Sequence, residues 1–478
     1  MLGKTPYLMK EQTLSNKTMV GYASAEVGIT AVETMAQIYL LDFYVSTVGL
    51  KPSLFGLAML IAILWDAISD PIMGYISDRT SFANGRRRPY ILIGGLLLGL
   101  GAYFLFTPPE LETQSLKFLY LVITYFLTNT FMTMIAVPHI SLGGEIGHTS
   151  VERNKIFGWR LFFANIGLLS GLLLPAIWVS AGKDGFSSRS FSSGSIWVLL
   201  CFVSYFSYTF TKGRDFPYQG SETKPNSFGE NVLSFLQSAR FILKNRYFLP
   251  LLLAFIVATA ARTLNSSLGL LYYKERLLLE DSQVVIRILL PFVFFLTISI
   301  PLWVYLAKRF GKKRPAFWGS FLLGVLTIIL YPILPQGSYE APLIAAFLGG
   351  IFAGSILLFD SLVADVVDYD ELLTGEKREG AYFGFWKMAT KIIRALGFAF
   401  LGFLLEAIGY QAGAETQNPE LGWRITLIFG PIVGSLFVIA SLVFTRMELT
   451  SEVHAKIQEL LSRKKNIQKR RSSGASAG

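Results

Sequence analysis

Apolar runs of about 20 residues or more, the length an α-helix needs to cross a bilayer, recur twelve times along this chain. They fall at residues 18–45, 53–77, 89–107, 116–142, 155–180 and 193–211, then at 247–273, 284–307, 315–335, 341–364, 380–408 and 423–445. Hydrocarbon offers a backbone amide no hydrogen bond, so each run is predicted to be a helix. The expected fold is all-α and integral to a membrane, with twelve spans in two sets of six. A hydrophobic share of 52% against 16% charged residues excludes an ordinary soluble enzyme. The first 17 residues are polar and the run after them is too long for a cleavable signal.

A net charge of +11 raises the question of nucleic acid, but the Lys and Arg residues sit in short loops between apolar runs, which excludes that partner. They gather at Lys4, Lys10 and Lys17, at Arg79 and Arg86 to Arg88, at Arg153 and Lys155, at Lys308 to Arg314, in the central linker and in the tail. The opposite loops hold few, such as Lys51, Lys117 and Lys183. By the positive-inside rule both termini are expected in the cytoplasm, with the chain in a plasma or inner membrane. The expected organisation is an N-terminal half at 1–211, a linker at 212–246, a C-terminal half at 247–446 and a basic tail at 447–478. Val232 to Leu243 in the linker is amphipathic and is expected to lie along the membrane surface. Anionic lipid contact is expected of the tail. One cysteine, Cys201, rules out an intrachain disulfide framework.

An internal repeat supports the division into halves. Gly85-Arg-Arg-Arg-Pro89 recurs as Gly311-Lys-Lys-Arg-Pro315, and Glu152-Arg153 meets Arg378-Glu379 at the same offset of 226 residues, from 85 to 311 and from 152 to 378. Parallel six-helix repeats enclose a substrate site between them near the membrane midplane. Each basic turn follows a second or eighth span, where it can brace a cytoplasmic gate.

The stretch from Trp65 to Pro89 carries the chemistry. Asp66 and Asp70 stand four residues apart in an apolar run with Ser69 between them, so their oxygens share a helical face. A carboxylate at the bilayer centre costs roughly 2.5–3.5 kcal/mol even on a lenient scale, so two on one turn demand a compensating charge. A bound Na⁺, H⁺ or Li⁺ supplies it, and hard oxygen donors suit such ions. The bland alternative is a structural pair tied to Arg160 or Lys391, the cations buried in later apolar runs, and Ser69 and Thr133 bonding only their own helix carbonyls.

W-D-A-I-S-D-P-I-M-G at 65–74, V-A-D-V-V-D-Y at 363–369 and Glu379-Gly380 followed by Lys391 together resemble the glycoside/pentoside/hexuronide:cation symporters, the melibiose permease-like family of the major facilitator superfamily. The resemblance spans nearly the whole chain. It implies cation ligands at Asp66, Ser69, Asp70 and Thr133, where Ser69 replaces the family's usual Asn. It places Arg160 near the sugar and Lys391 beside the acidic pair, where either cation can hold the carboxylates when no ion is bound. From the basic turns, the cytoplasmic gate is expected at Asp78, Arg79, Arg86, Arg314, Asp365 and Asp368. Thr30, Ala136 and Ile140 stand where melibiose permease has its sugar-binding aspartates and tryptophan, so the principal sugar contacts are missing. Glu26, Glu33, Arg262, Asn265, Asp360, Trp386 and Arg394 are the polar groups available to replace them.

The expected function is cation-coupled symport of a sugar or glycoside-like solute by alternating access. The alternative cargo is a lysophospholipid-like amphiphile, towards which Ala136 and Ile140 lean. His139, His148, His454 and one cysteine form no metal-ligand spacing, nucleophile motif or phosphate loop, which argues against an enzyme. A non-transporting receptor has no need of the acidic pair. The expected partners are a small-molecule substrate, a monovalent cation and membrane lipid, with a monomeric chain and no cofactor beyond the coupling ion.

Overall fold

Twelve helices occupy the twelve apolar runs in the computed structural model, which describes residues 14–80, 82, 85–147, 150–215, 242–375, 378–414 and 416–474. They are α1 (Asn16–Asp42), α2 (Pro52–Arg79), α3 (Arg88–Leu105), α4 (Gln114–Ile146), α5 (Ser150–Ser180) and α6 (Gly185–Phe210). The second set is α7 (Phe248–Glu275), α8 (Asp281–Phe310), α9 (Lys313–Ile333), α10 (Glu340–Thr374), α11 (Glu379–Ala407) and α12 (Leu421–Phe444), and a tail helix α13 (Ser451–Gly474) follows. Eleven of the described helices are long and apolar enough to cross a membrane. The exception is α1, whose Glu26, Glu33, serines and threonines dilute its hydrophobicity. Most of those groups are buried against protein, so α1 needs little lipid-facing surface.

One boundary moved for a physical reason. The sixth span was expected from residue 193, but α6 begins at Gly185 and takes in a serine-rich stretch. There Ser188 donates to the Gly185 carbonyl at 3.0 Å and Ser193 to that of Ser190 at 2.9 Å, so hydroxyls that read as loop chemistry are absorbed by the helix. The amphipathic stretch Val232 to Leu243 lies outside the described residues apart from Ile242 and Leu243. In the tail, the apolar face of α13 packs against α10 through Ile457 and Leu461, and His454 reaches Asp368 at 2.9 Å. Protein, not lipid, therefore covers that stripe, while Arg463 on the other face is exposed.

In the first half α1 packs on α5 and α6, α3 on α4 and α6, and α2 on α4; in the second, α12 packs on α7 and α9, and α8 on α10. The halves meet along α2 and α11, α1 and α7, and α5 and α8. The repeated basic turns have a shared structural cause. Gly85 and Gly311 adopt φ of +115° and +78°, a region open to glycine and strained for other residues.

An even number of spans puts the start of α1 and the end of α12 at one end of the bundle. At the opposite end the halves are locked together. The Gly413 amide donates to the Val45 carbonyl at 3.0 Å, Ser46 and Tyr410 share a 2.8 Å hydrogen bond, and Arg189 lies 3.9 Å from Asp42 and 3.7 Å from Asp281. A Cβ on Gly402 would stand 2.2 Å from the Pro52 carbonyl oxygen. Gly402→Val is therefore expected to disfavour this closure by about 1–3 kcal/mol. Spin labels at Glu112 and Glu420 should report it as a shift to longer distances; an unchanged distribution would count against a closure that depends on this glycine.

Candidate functional site

The acidic pair lies where α2 meets α4 and α11. Along α2 the face bearing Phe55, Met59, Ala62, Asp66 and Asp70 follows helical periodicity, and Phe55 rests against Phe398 of α11 with ring centres 6.2 Å apart. On α4, Asn129 donates to the Ala62 carbonyl at 3.2 Å and Thr130 accepts from the Trp65 indole at 2.9 Å, which sets the register between the two helices. Thr133, one turn on, donates to Asp66 Oδ1 at 3.0 Å or Asp70 Oδ1 at 2.9 Å and lies 3.2 Å from Ser69 Oγ. One hydroxyl proton cannot serve both carboxylates fully, which leaves lone pairs facing inward. Pro71, directly after Asp70, removes the hydrogen bond to the Ala67 carbonyl and loosens the helix at the site.

Lys391 completes the cluster from the other half. Its ammonium stands 2.8 Å from Asp66 Oδ2 and also binds Asp70 Oδ2. Sequence left two candidates for this partner; the structure places Lys391 there. Arg160 instead forms a two-pronged pair with Glu26, Nε to Oε2 at 2.7 Å and Nη2 to Oε1 at 3.0 Å. The two carboxylates and one ammonium sum to −1, whereas Arg160 with Glu26 sums to zero. So do Glu33, Arg394, Arg262 and Asp360 taken together, the first two of which are 3.4 Å apart. Lys387, one turn before Lys391 on α11, adds a further positive charge, so the −1 belongs to the Asp66–Asp70–Lys391 triad taken alone.

The Glu26 pair has a companion that sequence reasoning did not place. His139 of α4 is fully buried, stacks on Tyr22 with ring centres 4.3 Å apart, holds the Tyr22 carbonyl at 2.8 Å through Nε2, and turns Nδ1 towards Glu26 at 3.3 Å. Thr30, one turn beyond Glu26, packs against Gly167 of α5. Removing one partner of a buried pair leaves an uncompensated charge, so Arg160→Ala is expected to cost about 3 kcal/mol in thermal unfolding, and Arg160→Met with Glu26→Leu to recover most of it. A full loss in the double variant would point to a role for the charges beyond each other.

A cavity of 470 Å³ opens among α1, α5, α7, α8, α9 and α10. Arg262, Asn265 and Asp360 line it with Thr34 and Gln37, over walls of Leu, Ile, Phe and Val. Trp386 does not. It is 3% exposed, stacks on Phe255 at 3.8 Å, and uses its indole N–H to hold Asp360 at 2.8 Å. It positions that carboxylate and offers no open ring face. Glu33 is exposed beside Arg394.

The gate residues divide by half. Arg86 binds Glu145, and Arg87 binds Asp78 at 2.6 Å and Glu145 at 2.8 Å. In the second half Lys312 binds Asp365 at 2.6 Å, and His454 of the tail joins Asp368. In this conformation each basic turn braces its own half, and among the described residues no ion pair joins the two. Arg79 lies over the Tyr75 ring at 3.4 Å, and Arg314 is exposed, so neither belongs to these networks.

Comparison with known proteins places these observations. Residues 21–451 match the family model described as MFS/sugar transport protein. The putative glycoside/cation symporter YagG of Escherichia coli is 25% identical over 452 residues, covering 90% of this chain and 92% of that one. Sodium-dependent lysophosphatidylcholine symporter 1-A of Danio rerio is 24% identical, covering 91% of this chain and 85% of its own. Among solved structures, a bacterial homologue of the human lysosomal transporter Spinster superposes with a TM-score of 0.67 at 14% identity, covering 91% of this chain and 98% of that one, a likeness of fold alone.

Proposed function

Because the chain belongs to the MFS/sugar transport protein family, we propose that it is a secondary active transporter that moves a sugar- or glycoside-like solute together with a monovalent cation. The observation that carries this reading is the ammonium of Lys391 lying between Asp66 and Asp70, across the boundary between the halves. Cluster charge is −1 with Lys391 in place, so one bound Na⁺, Li⁺ or H⁺ brings it to zero. No second cation is favoured in a low dielectric. The oxygens of Asp66, Asp70, Thr133 and Ser69 would hold a metal cation, while H⁺ would sit on a carboxylate.

Cation binding and the Lys391 ion pair use the same oxygens, so each weakens the other. An arriving cation therefore frees Lys391 on α11, the helix whose Trp386 holds the cavity-lining Asp360. The solute is held in that 470 Å³ space near Arg262, Asn265 and Asp360. The present conformation, locked at the end away from the termini, is the one that would exchange ligands on the termini side. The linkage is reciprocal, so solute and cation raise each other's affinity. Both termini lie in the cytoplasm on this reading, and the two halves rock as units about the fixed site between them.

The apolar walls of the cavity favour one second reading, a lysophospholipid-like amphiphile. Thermal unfolding of the purified protein separates the two. A panel of sugars and a panel of lysolipids are added with and without Na⁺, and a ligand of the native state raises the transition as RT ln(1 + [L]/Kd). Na⁺-enhanced stabilisation by a sugar supports the leading reading. Stabilisation by lysolipids alone replaces it, and no cation effect on either panel overturns the coupling.

A further inference from the structure

We propose that the cleft between the α8–α9 turn and the tail helix α13 is a binding site for one anionic phospholipid. The cleft has a volume of 880 Å³, within the range of small-molecule sites. Five cations edge it: Lys308, Arg309, Lys312, Lys313 and Arg314. Among the described residues only Lys312 is paired with a carboxylate, that of Asp365; Lys313 donates to the Thr445 carbonyl at 3.1 Å and Arg309 meets the Tyr305 hydroxyl at 3.4 Å. Asp365 and Glu452 are its acidic lining residues, so the cleft is net positive.

The other wall is fixed in place. Gly311 lies so close to the start of α13 that a Cβ there would stand 2.2 Å from Ser451 Oγ, and His454, one turn on, is held by Asp368. Thr450 already accepts from the Val453 amide through Oγ1 at 3.4 Å and from the His454 amide through its carbonyl at 2.9 Å, so the basic residues, not the helix start, are what an anion meets here. Two large aromatic side chains flank the cations: Phe310 is 50% exposed and Trp318 is 54% exposed. Exposed aromatics next to Lys and Arg at the end of a span mark the level of the headgroups, where the apolar rings meet acyl chains and the cations meet phosphate. A soluble anion would use the cations and leave Phe310 and Trp318 without purpose; a phospholipid uses both. This site is separate from the cation cluster and does not depend on the symport reading.

The test uses the full chain, stripped of lipid in detergent and titrated by native mass spectrometry with phosphatidylglycerol, with phosphatidylcholine of the same acyl chains, or with inorganic phosphate. Each basic residue near an anionic lipid strengthens its binding roughly fivefold, so one phosphatidylglycerol should bind on the order of tenfold or more tighter than phosphatidylcholine. Lys308→Gln with Arg314→Gln should remove that preference, and Lys456→Gln with Arg463→Gln, on the tail but outside the cleft, should keep it. Thermal unfolding checks that the variants fold; if the double variant does not, Arg314→Gln alone should lose about fivefold. Equal binding of the two lipids, a preference that survives Lys308→Gln with Arg314→Gln, or an equal loss in the Lys456/Arg463 control would overturn the proposal. So would saturation by inorganic phosphate that excludes the lipid, which would make the cleft a site for free phosphate.

Discussion

Lys391→Ala is expected to uncouple solute binding from the cation while tightening the cation itself. In the native cluster the ammonium occupies the inward oxygens of Asp66 and Asp70 and must leave before a cation can enter. Alanine removes that competitor, and the cluster changes from −1 to −2, which draws a cation more strongly. The link between the halves goes with it, because the described contact of α11 with the acidic pair is this side chain. Coupling between two ligands of one protein is usually a factor of about 5–150, and in the variant the ratio of solute affinities with and without Na⁺ should fall close to one. Arg463→Ala, an exposed tail residue paired only with Glu459 among the described residues, should leave the ratio unchanged. The measurement is solute affinity at zero and saturating Na⁺ for both variants. A native ratio in Lys391→Ala would remove Lys391 from the coupling mechanism.

The acidic pair was legible in the sequence because a charge inside an apolar run has no bland explanation of equal weight. The partner was not. Arg160 and Lys391 are both cations in apolar runs, and only the packing of α2 on α11 and of α1 on α5 decides that Lys391 reaches Asp70 and Arg160 reaches Glu26. Thr133 is a different case. With Asn129 and Thr130 it forms a polar face at helical spacing, which matches the spacing of Ala62, Trp65 and Asp66 opposite. That pattern can be read from the chain once the two helices are known to be neighbours. His139 was passed over because a lone histidine on an apolar helix is more often a packed core residue, and its role beside Glu26 depends on the stack with Tyr22. The repeat places glycine at 85 and 311, and the structure gives both turns a positive φ there. It did not foresee that each turn binds within its own half, because identical motifs say nothing of the conformation in which they meet. Trp386 shows the limit of residue type as a guide: an aromatic in a transporter suggests a sugar platform, yet here the ring is buried, stacked on Phe255, and its indole nitrogen is already in use.

Asp70→Asn tests the charge count itself. Asparagine keeps the size of the side chain and an oxygen that can accept from Thr133, and Lys391 retains Asp66, so the fold should survive with an unfolding temperature near that of the native protein. The cluster, however, becomes neutral before any cation arrives. A bound Na⁺ would then bring it to +1 inside the bundle, having lost the attraction of one carboxylate, roughly 4 kcal/mol for unit charges about 4 Å apart at an effective dielectric of 20. That lost attraction corresponds to a loss of on the order of a thousandfold in cation affinity, so cation-stimulated uptake in proteoliposomes should vanish while any uncoupled exchange of solute remains. Asp66→Asn should behave alike, because the count depends on the sum of charges and not on which carboxylate supplies them. If either variant keeps native cation stimulation, the balance between two carboxylates and one ammonium is not what holds the ion, and the site must be sought around Glu26 and His139. If both variants unfold, the pair is structural, and Lys391 serves the contact between the halves and nothing else.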